Sequence, residues 1–451
     1  MPISPARRAA FEILRRVSVE NAYASLLLAT LDERLASEDR GLCHELVLGV
    51  LRRQLWLDRV IEHFGNRRLD KIDLPVKLAL RIGLYQLRFL SRVPPSAAVN
   101  ESVNLVRAAG LRSAAGFANA VLRGATREPD YDPTIGVSDP IERLAIETSH
   151  PLWLLERWAA ALGLEEAGSL ARANNEPAPV AFRLTSKTIG DANEARHLID
   201  QLTAAGFEVQ PSRIAPNSWR VSGQRPALLR KFIDAGLIYL QDEASQLVAH
   251  FLEAQTADRV LDVCAAPGSK TTLIGALAPH ATIVGVDFYE HRLRTLRELA
   301  AVQGNDSIQT AVADATGVLP FAKASFDRVL VDAPCSGTGT LRRNPEIRWR
   351  LNNSDITELA IKQNQILKHA AEMVRPGGRL VYSTCSLESE ENEAVVQAFL
   401  NDHATFEPLS LPNLSISNEP ADLANPAVAI RTWPHRNDVD GFFMIAFQRR
   451  A

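Results

Sequence analysis

Cysteine is scarce in this chain of 451 residues: there are four, at Cys43, Cys264, Cys335 and Cys385, and no C-x-x-C pair. Thiols so scattered exclude a disulfide framework and a thiolate zinc site, and a reducing compartment, the cytoplasm, is expected. Long hydrophobic runs are also lacking. The longest near the N-terminus, "ASLLLATL", is far short of the ~20 residues that span a bilayer. "MPISPARRAAFEIL" has charge but no apolar signal-peptide core. Neither a membrane nor a metal is therefore expected among the partners. No single sign of charge dominates, the net being −3, yet residues 1–130 carry 20 Lys+Arg against 14 Asp+Glu. That asymmetry hints at a nucleic-acid partner for the first third. No internal repeat or low-complexity tract is evident. What remains, 46% hydrophobic and 23% charged residues with six tryptophans, is the composition of a globular protein long enough for about three domains.

From Pro5 to about Arg127 the apolar residues recur at helical spacing, as in Phe11, Leu14 and Val17, or Leu78, Ile82 and Tyr85. "SRVPPSAAVNESVNLV" breaks at proline and starts a new helix. An all-α domain of six or seven helices over residues 1–130 is expected. "REPDYDPTIGVSDP" reads as a linker, and its composition suggests that a fragment starting near Ile141 folds alone. Residues 141–240 combine linker helices with a small α+β module: strands at "PVAFRLTS", "FEVQPSR" and "WRVSG" surround a helix at "DANEARHLIDQL". Over 241–451, strands at "RVLDVCA", "ATIVGVD", "IQTAVAD", "FDRVLVDA" and "GRLVYST" alternate with helices. This is the pattern of an α/β, doubly wound, Rossmann-like and mostly parallel sheet.

The first strand of that sheet runs into "DVCAAPGSKTTLIGAL". A Walker A loop is excluded by the missing first glycine and by Ser269 between Gly268 and Lys270. A single glycine also excludes the G-x-G-x-x-G that brings backbone against a pyrophosphate. A tight turn through Pro267 and Gly268 is left, followed 19 residues after Gly268 by Asp287 at the end of the second strand. A carboxylate there can accept from both ribose hydroxyls of an adenosine cofactor. Asp314, ending the third strand, could face an adenine amine. A ribose acid without a pyrophosphate cradle points to S-adenosylmethionine. Each acid has a plainer alternative as a helix N-cap or a solvated strand end, but their recurrence at successive strand ends favours the cofactor.

Cys335 follows the fourth strand and Cys385 the fifth, 50 residues later. An isolated buried cysteine is usually a small core hydrophobe, which suits Cys264. Two thiols at the functional rim of one sheet suit it poorly. Carbon 5 of a pyrimidine is too weak a nucleophile to take a methyl group directly, and thiolate addition to carbon 6 converts the ring to an enamine that can. Asp332 is placed to hydrogen-bond or protonate ring N3.

"DVCAAPGSKT", "VGVD", "VADAT", "VDAPCSGTGTLRRNPEIRW", "YSTCSLESEEN" and "DGFFMIAF" together resemble the Sun-type RNA cytosine-C5 methyltransferases. The first third resembles the NusB-like domain found in front of that catalytic domain in bacterial enzymes acting on 16S ribosomal RNA. The resemblance implies that Cys385 is the nucleophile and that Cys335 helps release the product. It implies that Cys264, Ala265, Ala266, Pro267, Gly268, Ser269, Lys270, Asp287, Asp314 and Asp332 surround S-adenosylmethionine, with Lys270 and Asp332 also near the target base. Ser269 stands where the family often has glycine. The expected partner is 16S ribosomal RNA, bound by a monomer.

"LRRNPEIRWR" sets Arg342, Arg343, Arg348 and Arg350 around Trp349 directly after the Cys335 loop. Arginines beside an aromatic can hold phosphates and stack a base, so Arg342, Arg343, Arg348 and Trp349 are candidate RNA contacts, against the alternative of a solvated basic helix start. Arg7, Arg8, Arg15, Arg16, Arg52 and Arg53 are weaker candidates, because helix surfaces produce such pairs freely. Two other enzymatic readings stay open: the same chemistry on transfer RNA or another ribosomal site, and ribose 2′-O-methylation, which needs no thiol pair. A non-enzymatic antitermination or assembly factor is the third alternative.

Overall fold

The computed structural model describes residues 3–31, 35–223, 226–409 and 429–451. The chain divides into two compact units, Met1–Pro177 with Leu341–Leu351, and Ala178–Thr340 with Asn352–Ala451.

The first unit is helical among its described residues. Seven helices, Pro5–Val19, Ala24–Leu31, Ser37–Arg52, Gln54–Gly65, Leu74–Phe89, Pro95–Ala108 and Ala115–Arg127, follow the expected apolar periodicity. Three of them have proline in the first turn, where its missing N–H costs nothing. Their inward faces make one core that includes Leu46, Leu57, Ile61, Leu80, Ile82 and Leu122. Arg81 crosses it to grip both oxygens of Asp58, at 2.7 and 2.8 Å. Helices Pro140–Thr148, Leu152–Leu162 and Leu164–Ala173 complete the unit.

This division differs from the sequence boundaries in two ways. The helices after Pro140 group with the N-terminal helices, not with the strands that follow them, and so does the distant stretch Leu341–Leu351. Hydrophobic patterning reports what each helix buries but not against which partner.

The second unit starts with an antiparallel sheet of β1 (Ala181–Leu184), β2 (Glu208–Pro211), β3 (Ser218–Ser222) and β4 (Ile238–Leu240), in the order β2-β3-β1-β4. Helix Ala192–Ala204 packs on it, its N-terminal amides capped by Asp191. β4 and helix Pro226–Asp234 were not legible in the sequence pattern.

The larger sheet contains β5 (Arg259–Asp262), β6 (Thr282–Asp287), β7 (Ile308–Val312), β8 (Phe326–Asp332) and β9 (Val374–Thr384), the five expected strands. All are parallel and lie in the order β9-β8-β5-β6-β7. β10 (Phe406–Pro408), β11 (Ala429–Thr432) and β12 (Phe442–Arg449) extend it antiparallel beyond β9. Apolar cores cover both faces of the central strands, which is why β5, β6, β8 and β9 contain short apolar runs, whereas edge strand β7 has no buried residue.

Among the described residues no helix is long and apolar enough to cross a membrane, and no cluster of His, Cys, Asp and Glu could hold a metal.

Candidate active site

From β5 the chain steps outward through β6 and β7 on one side, then returns to place β8 and β9 on the other. Strand order therefore reverses between β5 and β8. The crevice outside the carboxyl ends of such a pair is where open α/β sheets bind ligands.

The turn after β5 is built to be tight. Gly268 has φ of 113° and opens the helix Ser269–Leu277, and a Cβ there would lie 2.9 Å from Leu296 Cγ. The Ala265 N–H donates to the Val286 carbonyl at 2.8 Å, and Thr271 Oγ1 donates to Asp262 Oδ2 at 2.7 Å. Ala265, Ala266 and Gly268 are buried, Cys264 and Ser269 are half-buried and Pro267 is exposed. Burial, and then the negative charges of Asp262, Asp332 and Asp287, push the Cys264 thiol up and disfavour its thiolate.

The two acids expected beside the turn lie at the end of β6 and just beyond the end of β7. Asp287, at the end of β6, accepts the Tyr289 N–H at 2.9 Å and pairs with Arg292 at 3.0 Å. Asp314 is exposed two residues beyond β7, and Thr316 donates both its N–H and its hydroxyl to Oδ1, at 2.9 and 2.7 Å. Those bonds hold the Asp314 carboxyl below its usual range.

Opposite the turn, β8 delivers Asp332 in register with Ser383 of β9. Ser383 Oγ donates to Asp332 Oδ1 at 2.8 Å, and Lys270 Nζ donates to Oδ2 at 2.6 Å. The same ammonium lies 5.1 Å from the centre of the Phe442 ring. Burial works against the charge on Lys270, but the charge and hydrogen bond of Asp332 outweigh it and hold the ammonium above its ordinary pKa.

Beyond these strand ends the two loops bring Cys335 Sγ within 3.2 Å of Cys385 Sγ. Both cysteines are free and half-buried. The hydrogen bond to Cys385, then burial and the charges of Glu391 and Asp332, push the Cys335 thiol well up. The Cys335 loop fits closely against the start of β12. The Gly441 N–H donates to the Gly339 carbonyl at 2.8 Å, and a Cβ on Gly339 would lie 2.0 Å from the Gly441 oxygen. The glycines of "SGTGTL" and "DGFF" are thus needed for close approach.

Sequence reasoning missed two sets of residues here. Arg183, in the middle of apolar β1, is 1% exposed. Its guanidinium donates to Gln241 Oε1 at 2.7 Å, to the Ser269 carbonyl at 3.0 Å and to Thr272 Oγ1 at 2.9 Å, tying the small sheet to the turn after β5. Burial brings its pKa down to about 9. A charge inside the apolar run "AFRL" was the available signal. The second set, Gln363, Tyr382, Glu391 and the serines after each cysteine, packs beneath the thiols and left no such signal.

The arginines of "LRRNPEIRWR" belong to the first unit. Arg348 is fully buried, where it donates to the Ser149 and Asn174 carbonyls and to Asn175 Oδ1. Arg342 is buried and donates to the Pro177 carbonyl at 2.8 Å, and Trp349 Nε1 donates to the Leu51 carbonyl at 2.8 Å. Arg350 donates to the Val17, Asn21 and Ala22 carbonyls. Arg342 and Arg348 therefore hold this segment in the helical unit, with no surface left for a phosphate, which corrects their reading as RNA contacts; Arg343 and Trp349 are half-buried. Of the N-terminal candidates, Arg7 is buried against Gln86 and Glu101, Arg15 and Arg16 pair with Glu12 and Glu20, and Arg52 donates to the Arg342 carbonyl. Arg53 lies over the Phe89 ring and Arg8 is exposed.

Known families match three successive stretches: the NusB family residues 4–127, the ferredoxin-like domain of RsmF/B-like methyltransferases residues 150–227, and 16S rRNA methyltransferase RsmB/F residues 249–448. A probable ribosomal RNA small subunit methyltransferase B of Bacillus subtilis (strain 168) is 35% identical over 454 residues, covering 99% of both chains. Ribosomal RNA small subunit methyltransferase B of Escherichia coli O127:H6 is 33% identical over 405 residues, covering 89% of this chain and 91% of its own. Among solved structures, PH0851 covers 100% of both chains with a TM-score of 0.85 at 26% identity. A methyltransferase homolog from Pyrococcus horikoshii covers 69% of this chain and 100% of its own with a TM-score of 0.59 at 27% identity. Taken with the parallel sheet and its two-loop rim, these likenesses place the chain in the RsmB/F family of 16S ribosomal RNA methyltransferases.

Proposed function

We propose that the protein methylates carbon 5 of a cytosine in 16S ribosomal RNA, with S-adenosylmethionine as methyl donor and Cys385 linked covalently to carbon 6 during the reaction. The observation that carries this reading is the pair of thiols 3.2 Å apart, one at the end of each of two adjacent parallel strands beside the switch point.

The residues around the turn suit the cofactor. An ionised carboxylate can accept about four hydrogen bonds; one partner is seen on each oxygen of Asp287, so capacity remains for two ribose hydroxyls. Cys264 to Lys270, with Asp314, would line the rest of the site. When bound, S-adenosylmethionine supplies an electrophilic methyl carbon, which accepts the carbon 5 electron pair as its bond to sulfur breaks toward sulfur.

Cys385 acts first, its thiolate forming an S–C6 bond while the C5–C6 π pair moves onto the ring as an enamine. Lys270 and Asp332 would face the polar edge of the ring, the ammonium donating toward N3 and the carboxylate accepting from the exocyclic amine. After methyl transfer a base removes the carbon 5 proton; that electron pair restores the C5–C6 double bond and the S–C6 bond breaks, returning Cys385 as thiolate. The resemblance to the Sun-type enzymes assigns the nucleophile to Cys385, which follows β9, and leaves Cys335, 3.2 Å away, to assist this last stage.

Cys385→Ala should abolish methylation, because without the enamine carbon 5 lacks the electron density to react. Cys335→Ala should stall at elimination and leave protein joined to methylated RNA, a slow-migrating band that survives boiling in detergent. The reverse pattern would exchange the two roles. A methyl group mapped to ribose by nuclease digestion and mass spectrometry would overturn the reading.

A further inference from the structure

Beneath the two thiols lies a buried carboxylate to which the chemistry above assigns no task. Glu391 is fully buried, at 0% exposure. Its Oε1 accepts the Ser336 N–H at 2.8 Å and Gln363 Nε2 at 2.9 Å. Its Oε2 accepts the hydroxyls of both Ser336 and Ser386, whose oxygens are themselves 3.0 Å apart. Ser336 follows Cys335 and Ser386 follows Cys385. One side chain therefore holds the residue next to each thiol, from two loops 50 positions apart in the chain.

The rest of the pocket holds Glu391 itself in place. Tyr382, in β9, donates its hydroxyl to the Glu391 carbonyl at 2.5 Å, and Gln363 Nε2 also donates to the Pro334 carbonyl at 3.0 Å, just before Cys335. Asn392 Nδ2 donates to the Ser386 carbonyl at 2.9 Å. A carboxylate out of water is costly unless its lone pairs are filled, and here four donors converge on it. Apolar packing alone would have held these loops without that cost.

We infer that Glu391 is a positioning residue for the reaction: by bonding Ser336 and Ser386 at once, it sets the spacing and direction of the Cys335 and Cys385 thiols, so that one can add to carbon 6 while the other lies within reach of the adduct. This rests on the covalent reading proposed above. The two thiols come from loops whose strands have already ended, so the register of β8 and β9 does not by itself fix their separation. Reacting groups misplaced by about 1 Å lose roughly 100-fold in rate.

The test compares the wild type with Glu391→Gln, which keeps the volume but places a nitrogen against donors. Three quantities are measured on a 16S ribosomal RNA transcript: kcat and KM for methylation, affinity for S-adenosylmethionine by calorimetry, and the rate of covalent adduct formation on the same transcript made with 5-fluorocytidine, whose fluorine blocks the release step. Glu391→Gln is expected to lose about 100-fold in kcat and in adduct rate, with KM and cofactor affinity within about twofold. Ser386→Ala, which removes one donor and leaves the charge, should lose less. If Glu391→Gln is poorly folded by its thermal midpoint, Ser336→Ala and Ser386→Ala carry the test, each expected to slow the adduct without changing KM. Equal kcat and equal adduct rate in variants that bind cofactor normally overturn the role of Glu391 alone. A wild type that methylates RNA but never forms the 5-fluorocytidine adduct overturns the covalent reading, and this proposal with it.

Discussion

Lys270 Nζ lies 2.6 Å from Asp332 Oδ2, joining the turn after β5 to the end of β8 across the switch point of the sheet. Burial alone would lower the Lys270 pKa, and the charge of Asp332 reverses that. Asp332→Asn removes the strongest of the charges that oppose burial, so the amine should lose its proton at lower pH than in the wild type. The alkaline limb of the kcat profile is expected to move to lower pH in Asp332→Asn, and kcat near neutrality to fall by about 10²–10⁴-fold. An alkaline limb that stays in place would show that Lys270 protonation does not limit the rate.

Asp287→Ala should weaken S-adenosylmethionine binding by about 10–100-fold, since a charge-assisted hydrogen bond contributes roughly 1.5–3 kcal/mol and each 1.4 kcal/mol is about tenfold. Transcript affinity should hardly change. The control is Asp287→Asn, which keeps an oxygen for the Tyr289 N–H. Calorimetry in which Asp287→Asn binds as the wild type does would assign the carboxylate to shaping the loop after β6, not to the ribose.

Strands β5, β6, β8 and β9 are legible in the sequence because their apolar residues are buried between two cores, and the strand-end acids and thiols follow from that reading; edge strand β7, with no buried residue, is legible from its place in the strand–helix alternation. Antiparallel β12 is not, although "DGFFMIAF" stands out as a motif: its apolar run fits a buried helix turn as well as a strand. Arg348 misleads for a related reason. Spacing shows a cluster of arginines but not whether carbonyls await them, and Arg348 meets those of Ser149 and Asn174. Glu391 is hidden in "LESEEN", an acidic run that reads as solvated until the fold buries one of its members.

Asp262 provides a pH test of the fold. Burial raises its carboxyl from 3.8 to about 7, against the lowering effect of the bond from Thr271. Between about pH 4 and 7 the folded state keeps a proton that the unfolded chain has released. The penalty for burying the charge is absent below the unfolded pKa, grows through this window and is complete above about pH 7. Asp262→Asn has no such proton. Its thermal midpoint relative to the wild type should therefore rise as pH goes from 4 to 8. A difference independent of pH would mean that Asp262 is ionised throughout.

Arg183 links the small sheet to the turn after β5 through the Ser269 carbonyl and Thr272. Arg183→Met keeps much of the apolar stem but leaves Gln241 Oε1 and the Ser269 carbonyl without this donor. A cost of about 2–4 kcal/mol in stability is expected, since buried acceptors left unpaired cost roughly 1–3 kcal/mol each. Cofactor affinity should fall with it, because Ser269 begins the helix that follows the turn. Loss of stability with unchanged cofactor affinity would confine Arg183 to holding the two sheets together.

A chain starting at Ile141, just after the linker, tests the domain boundary directly. Composition alone predicts that it folds, but the first unit includes Leu341–Leu351. Truncation removes the Leu51 carbonyl that receives Trp349 Nε1, and the Val17, Asn21 and Ala22 carbonyls that receive Arg350. It also removes Ala24, whose N–H donates to the buried Glu346 at 2.8 Å. Helices Pro140–Thr148, Leu152–Leu162 and Leu164–Ala173 would lose the neighbours with which they form one unit. Apolar surface newly exposed on this scale promotes association. The fragment is expected to be aggregation-prone in size-exclusion chromatography, whereas the same fragment with residues 1–140 supplied as a separate chain should be rescued to a soluble complex. A monodisperse fragment with a cooperative melt like that of the full chain would show that Leu341–Leu351 does not need the N-terminal helices.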